Sequence, residues 1–287
     1  MSAENPPPVP STPSTPNQEL GIQLFNERRR PRPGRPKGYR MADVPKDICA
    51  ERTLRDIETA KKDRVKPGMV LELCDFYETD SDLTQELKAL AKATQAEKWW
   101  EHYSTGMSGR FWLMLQGEGR AARIIVHEST YVPALLQHED YIDAVHRSVR
   151  IAWEGDQIDA SVAKQLTLDR QRRWREAETP LTCVIGEAAL LLNMGDEVTA
   201  VQKKHLLKLA ELSYVEILVT PLSAGRHDVL GMEFSTLEFD DGSESLIYVH
   251  AGYGGRYVSP DSRAGHFVVA GFDTAKELSI PLQEFLS

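Results

Sequence analysis

The spacing of apolar positions changes several times along this chain, and each change marks an expected element. Leu20, Leu24 and Phe25 are spaced for a short first helix that runs into Glu27-Arg28-Arg29-Arg30. Ala50, Leu54 and Ile57 fall at i, i+4 and i+7 and share one face of a second short helix, with Arg52, Thr53 and Arg55 opposite. A basic turn carrying Lys61, Lys62, Arg64 and Lys66 follows. Pro67, a favoured first-turn residue, then opens a helix that buries Val70, Leu73, Cys74 and Tyr77. Asp82-Leu83-Thr84-Gln85 is a capping-box-like start for another helix, whose buried stripe is Leu83, Leu87, Leu90 and Ala91.

Beyond residue 120 the pattern mixes strand and helix periods. Residues 121–129 read as a strand or buried helix start, and 131–137 open a helical stretch reaching Trp153. A long polar helix is expected over 159–178, strands over 181–185 and 215–221, a short helix over 187–193 and an amphipathic helix over 198–213. Residues 232–239 and 245–250 form a hairpin across Asp240-Asp241-Gly242-Ser243, and 265–286 close the fold with a strand or helix start and a final helix. The expected fold class is α+β overall: an N-terminal all-α helix-turn-helix bundle, then a mixed α+β domain with an antiparallel sheet. A length of 287 residues suits two domains at roughly 150 residues each. The boundaries fall at 1–17, a Pro/Ser/Thr tail expected to be disordered, then 18–96 and 97–287. Trp99, Trp100 and Tyr103 lie at the second boundary, where packing is the simpler account and a ligand or partner site the other.

Between the first two helices lies the segment 31–40, PRPGRPKGYR. Its prolines exclude a helix and predict an extended, semi-rigid arm. Gly34-Arg35-Pro36-Lys37 looks like an AT-hook, with Pro33 interrupting the usual order. In that reading Arg32, Arg35 and Lys37 enter a narrow, strongly negative minor groove. Residues 41–48 would form the helix before the cationic one, weakened by Pro45.

Charge sharpens this picture. The net charge of −9 argues against a nucleic-acid partner, yet residues 27–66 hold fourteen Arg and Lys against seven Asp and Glu. Phosphates respond to local charge within a Debye length of roughly 8–10 Å. Cys49, Cys74 and Cys183 are odd in number and lack C-x-x-C spacing, so neither a disulfide framework nor a zinc cluster is expected. No apolar run approaches the ~20 residues of a membrane span and no signal-peptide pattern opens the chain, which makes cytoplasm the expected location, on the nucleoid when DNA-bound. The sequence has no nucleophile elbow, H-E-x-x-H, Walker loop or dinucleotide fingerprint, so no enzyme, cofactor or metal is expected. Gly252-Tyr253-Gly254-Gly255 reads as a loop; His227 beside Asp228, and His250, are the remaining acid/base candidates, with a structural role the simpler account. Arg170-Gln171-Arg172-Arg173 would bind an acidic partner or be a solvated helix face, and Pro133-Ala134-Leu135-Leu136-Gln137 would shape a pocket or simply start a helix.

Two resemblances extend this reading. The segment Ile57, Glu58, Lys61 and the Pro67-started helix ending at Tyr77 resembles the later part of the Cro/repressor-type (XRE) helix-turn-helix of actinobacterial regulators, with Ala60 where Gly is usual. The downstream half resembles the domain of unknown function in the WhiJ-like group. Its landmarks here are Trp99-Trp100 with Tyr103, Pro133-x-Leu135-Leu136-Gln137 with Tyr141, Arg170-Gln171, Glu187-Ala188-Ala189-Leu190, Pro221 with Gly225 and His227, and Phe234-x-x-Leu237-x-Phe239. Together these imply a DNA-binding transcriptional regulator, homodimeric on double-stranded DNA, with a C-terminal domain for a small protein partner or small-molecule effector. The DNA-binding candidates are Arg32, Arg35, Lys37, Arg52, Thr53, Arg55, Lys61, Lys62 and Arg64. The effector or partner candidates are Trp99, Trp100, Tyr103, Gln137, Arg170 and His227. The other reading is a protein-interaction or antitoxin-like module whose helix-turn-helix no longer reads DNA.

Overall fold

A computed structural model of the chain describes residues 16–95, 109–148, 160–192, 194–240, 242, 244–250 and 255–287. The chain divides into two compact units, Met1–Gln116 and Gly117–Ser287.

The first unit is helical. It contains α1 (Pro16–Arg29), a single 3₁₀ turn (Met41–Asp43), α2 (Glu51–Glu58), α3 (Pro67–Phe76), α4 (Ser81–Ala93) and the start of α5 (Gly109–Glu118). α1 packs on α2 and α4, and α3 packs on α4, which buries Leu20, Leu24, Leu54, Ile57, Val70, Leu73, Leu87 and Leu90. The approach of α1 to α2 needs Gly21, because a Cβ there would lie 2.5 Å from the Ile57 carbonyl. α4 starts two residues before the sequence signal: Asp80 Oδ1 accepts from Leu83 N at 2.9 Å.

Three expectations for this unit are corrected. The tail does not extend through residue 17, since α1 begins at Pro16 and Asn17 Nδ2 donates to the Lys62 and Asp63 carbonyls at 2.7 and 2.9 Å. Pro16 suits a first helical turn, where its missing N–H costs nothing. The helix expected over 41–48 is reduced to the 3₁₀ turn, followed by Ile48 N and Cys49 N both bonding back to Pro45 O. A proline disfavours helical backbone in the residue before it, and this ends the turn at Val44. The arm over 31–40 is not extended. Arg32 and Arg35 form an antiparallel bridge, and Gly38 closes the loop at φ +65, where a Cβ would collide with the Arg28 carbonyl.

The second unit is a sheet covered by helices. Its strands are β1 (Arg123–Glu128), β2 (Leu181–Gly186), β3 (Val215–Thr220), β4 (Phe234–Glu238), β5 (Leu246–Val249), β6 (Arg256–Val258) and β7 (Ile280–Pro281), in the order β6-β5-β4-β1-β2-β3-β7. The antiparallel sheet expected from the hairpin is corrected to a mixed one: β1-β2 and β2-β3 are parallel, whereas β4, β5, β6 and β7 pair antiparallel. The reason is the connections. Between β1 and β2 run α6 (Glu139–Ser148) and α7 (Ala160–Ala177), and between β2 and β3 run α8 (Glu187–Leu191) and α9 (Asp196–Leu209). Such crossovers return the chain parallel, and the right-handed connection usual for them leaves successive helices on one face. α10 (Arg263–Glu277) covers the other face, where Val268, Phe272 and Ala275 meet Val184, Leu218, Phe234, Ile247 and Val258. A short α11 (Leu282–Phe285) ends the chain. β6 is an element the sequence reading did not separate from its Gly-rich loop.

The turn after α2 tests one residue. Ala60 takes φ +53, in the left-handed region that favours glycine. Ala60→Gly relieves a cost of about 1 kcal/mol. The variant is therefore expected to raise the thermal midpoint of the first unit by several degrees in a calorimetric scan, with no loss of helical circular dichroism.

Candidate functional site

α2 exists because Leu54, Ile57 and Glu58 turn inward, which leaves Arg52 and Arg55 exposed one turn apart with Thr53 between them. Its inner face is fixed by an ion pair. Arg28 of α1 donates to both Glu58 oxygens at 2.7 and 2.8 Å, both side chains are at most 2% exposed, and Arg28 Nη1 also donates to the Tyr39 carbonyl at 3.0 Å. The helix ends in a turn in which Lys61 N and Lys62 N share the Asp56 carbonyl at 2.8 and 3.1 Å. Asn17 holds the turn from one side. From the other, Val65 N donates to Thr94 Oγ1 at 2.9 Å and Gln95 Nε2 to Val65 O at 2.9 Å. Lys61 and Arg64 stand exposed on this scaffold and Lys62 is partly buried. Arg52, Thr53, Arg55, Lys61, Lys62 and Arg64 thus lie on one continuous helix-and-turn segment, and among the described residues none of their side-chain charges is ion-paired.

The arm residues divide differently. Arg32 turns inward, 8% exposed, and donates to the carbonyls of Arg30, Glu27 and Tyr77, while Arg30 donates to Tyr77 and Glu78 at 3.1 and 2.8 Å. The two guanidiniums cap the carbonyl end of α3. Arg35 and Lys37 point to solvent.

In the second unit, the carboxyl end of β1 gathers titratable side chains. Strand alternation and register place Glu128, Glu233 and His250 in one row across β1, β4 and β5: His127 pairs with Phe234, Phe234 with Val249, and His250 N donates to Glu233 O at 2.8 Å. The Glu128 side chain has no cation or hydrogen-bond donor among the described residues, and burial first, then the nearby Glu233, lifts it well above the usual carboxylate range. Burial also raises Glu233. His250 accepts or donates at Ser235 Oγ, 3.3 Å away, and burial, helped by the Arg170 charge, pushes it down to about 4. A serine that is 7% exposed beside so weak a base is poorly placed for acyl transfer. Cys183 beneath the row is fully buried, its thiol pushed far up by that burial and by Glu128, and hence unreactive.

On the opposite face His127 bonds Met232 O at 2.8 Å, stacks on Phe234 and meets His227 edge-on at 5.9 Å. Burial, and less so His227, depresses it to about 4. His227 is 9% exposed and its Nδ1 has no partner among the described residues. Gln137 and Arg170 serve the fold: Gln137 Nε2 donates to Val132 O at 2.7 Å, and Arg170 grips Glu118 at 2.6 and 2.9 Å. Two glutamines bracket the Pro133–Gln137 segment; sequence reasoning named Gln171 only within the Arg170–Arg173 run and as a family landmark, and missed Gln202. Gln171 donates to Ala134 O and Gln137 O at 2.8 Å, and Gln202 joins His138 N and Leu136 O at 2.7 and 2.9 Å. Their only signal was being polar on a buried helix face. Trp99, Trp100 and Tyr103 lie outside the described residues.

A family model described as a domain of unknown function, DUF5753, matches residues 112–284. The chain belongs to this family. Comparison with curated proteins and with solved structures found no match. The DUF5753 match covers the mixed sheet, its crossover helices and the Glu128 row. Among the described residues no helix is long and apolar enough to cross a membrane, and no group of three His, Cys, Asp or Glu is placed to hold a metal ion.

Two outcomes follow. Glu58→Ala leaves Arg28 buried and unpaired and is expected to destabilise the first unit by about 3–5 kcal/mol, whereas Arg28→Met with Glu58→Leu recovers most of that loss in denaturant melts. Burial favours the protonated form of Glu128 in the folded domain, whereas in the unfolded chain it ionises near its ordinary value. Its contribution is therefore present at low pH and lost as pH rises above about 4.5 toward its raised value. Glu128→Gln is expected to stabilise the DUF5753 domain at pH 8 and leave it unchanged near pH 4, read from thermal midpoints at both.

Proposed function

We propose that this chain is a sequence-specific DNA-binding transcriptional regulator. Its first unit reads DNA through α2, and its DUF5753 domain docks a small protein partner or a small-molecule effector. The observation that carries this reading is the unpaired cationic face of α2. Arg52 and Arg55 are exposed, one turn apart, on a helix whose other face is locked by the buried Arg28–Glu58 pair. A helix held so rigidly and displaying two guanidiniums fits a major groove, where Arg pairs with guanine O6 and N7. Lys61, Lys62 and Arg64 follow on an ordered turn, suited to the flanking phosphates. The resemblance of Ile57, Glu58, Lys61 and Tyr77 to the Cro/repressor-type motif supports the same assignment, and a single short reading helix favours a homodimer on a two-fold site.

A second reading keeps one specific support. The 3₁₀ turn Met41–Asp43 stands where a helix-turn-helix has a full helix before its reading helix. A module that had given up DNA for a protein partner would tolerate that loss.

Selection of genomic fragments by the purified protein at fixed, near-physiological salt separates the two. A regulator enriches a discrete site at least ~10³-fold over random DNA; a pure interaction module enriches none. On the selected site Arg55→Ala is expected to relax base preference, while Lys62→Ala weakens all sequences alike and lowers the salt slope by about one. Equal loss across sequences for both variants counts against α2 as the reader.

A further inference from the structure

The segment 31–40 is the part of the first unit whose architecture the sequence does not foretell. It is a closed loop. Arg32 N and Arg35 N exchange hydrogen bonds with each other's carbonyls at 3.0 and 2.9 Å, Gly38 N returns to Arg35 O at 3.0 Å, and Tyr39 N to Arg28 O at 2.7 Å. Tyr39 is its hub: the guanidiniums of Arg32 and Arg35 lie 4.9 and 4.7 Å from the ring centroid, and Phe76 and Tyr77 pack beside it. Arg35 then reaches Asp43 at 3.2 Å, in the 3₁₀ turn that packs on α2. The loop therefore stands beside α2, on the same Arg28 that fixes that helix.

This arrangement is not that of a hook. A minor-groove arm must offer Arg32 and Arg35 together on an extended strand. Arg32 is sequestered, and withdrawing it would remove one of the two guanidiniums on the Tyr77 carbonyl, leaving Arg30 alone there, and strip a cation from the Tyr39 ring. What remains outside is the rim of the loop. The Arg35 side chain is 49% exposed and that of Arg40 76%, both tied to Asp43; Lys37 is exposed with no partner among the described residues.

We propose that the 31–40 loop is a preformed phosphate clamp beside α2, in which Lys37 and Arg35 hold the DNA sugar-phosphate backbone next to the groove that α2 enters. It rests on the DNA-binding reading above. The partner chemistry is a row of phosphate monoanions, which recognises charge and not base. Because the loop is folded before DNA arrives, binding costs little ordering entropy. Gly34, the tip at φ +73 with open space around its Cβ position, leaves room for a backbone to approach.

The test uses the full chain and two fluorescein-labelled 30-base-pair duplexes, one A·T-rich and one G·C-rich, titrated at several salt concentrations. Lys37→Ala is expected to reduce the slope of log K against log salt by about 0.9 and to weaken both duplexes equally, by up to roughly ten-fold near 0.1 M salt. Arg35→Ala should act in the same direction. Arg32→Ala should instead lower the thermal midpoint of the free protein, which Lys37→Ala leaves unchanged. Hydrogen exchange on the DNA-free protein supplies an independent reading: the Arg35 and Gly38 amides are expected to be protected. The clamp is overturned if the wild type prefers the A·T-rich duplex and Lys37→Ala abolishes that preference, since that is a hook. Exchange of both amides at unfolded-chain rates overturns it too. So does an unchanged salt slope in Lys37→Ala while Arg55→Ala still weakens binding, an outcome that leaves the parent reading standing and points the loop at an acidic protein surface. Failure of the wild type to bind either duplex at low salt overturns both together.

Discussion

The buried ion pair between Arg28 and Glu58 is the constraint on which the first unit depends. A guanidinium and a carboxylate removed from water each carry a large desolvation penalty, which is offset only when geometry is bidentate and the remaining donors are satisfied. Both conditions are met: two short bonds join the pair, and a further Arg28 donor reaches the Tyr39 carbonyl. The pair therefore fixes three things at once. α1 is held against the last turn of α2, where Gly21 permits contact with the Ile57 carbonyl. The rotation of α2 is set, since Glu58 turned inward together with Leu54 and Ile57 leaves Arg52 and Arg55 outward. The exit of the 31–40 loop is pinned at Tyr39. A hydrophobic pair of the same volume would fill the space without dictating this rotation, which is a physical reason for charge in this core.

The second unit depends on a different arrangement. β1 stands where the sheet changes character, parallel to β2 on one side and antiparallel to β4 on the other. The carboxyl end of β1 lies at this boundary. There the chain places Glu128, Glu233 and His250 side by side, two acids held toward their protonated forms and a histidine held toward its neutral form by the same burial. The row is polar, and burial biases each of its three groups toward the neutral form. A ligand reaching it would meet hydrogen-bonding groups whose charge responds to what it brings.

Much of this was legible from residue spacing. The helices α2, α3, α4, α7 and α9 and the strands β2, β3, β4 and β5 follow from apolar period and from Pro67, because local pattern and final burial agree there. What stayed hidden depended on partners distant in sequence. Parallel pairing of β1 with β2 joins residues separated by two helices, and nothing in 121–129 records its direction. Arg32 reads as a free cation until Tyr77, 45 positions away, turns its carbonyl toward it. Glu128 reads as a strand-end acid, and its lack of a cation is a fact about the space around it. The outward placement of Arg52, Thr53 and Arg55 on α2 was legible because amphipathicity alone gives it; the extended backbone expected of the arm was misjudged because proline content limits backbone angles without saying what the side chains will grip.

The same point governs the electrostatics. Fourteen cations over 27–66 suggest a strongly basic surface, but charge counted along a chain is not charge presented to solvent. Arg28 is neutralised by Glu58 inside the core, Arg30 and Arg32 are spent on the carbonyl end of α3, and Arg35 and Arg40 share Asp43. Asp43 in turn is held below the ordinary carboxylate range by its hydrogen bonds to Arg40, which favours its charged form as a counter-charge to the two arginines. Among the described residues, those left unpaired include Lys37 on the loop, Lys46 before α2, Arg52 and Arg55 on α2, and Lys61, Lys62, Arg64 and Lys66 on the turn after it. The pairing thus converts a diffuse basic stretch into a few cations at defined places. A diffuse patch gives affinity that any polyanion satisfies, whereas cations on a locked helix and an ordered turn select a partner whose charges match their spacing.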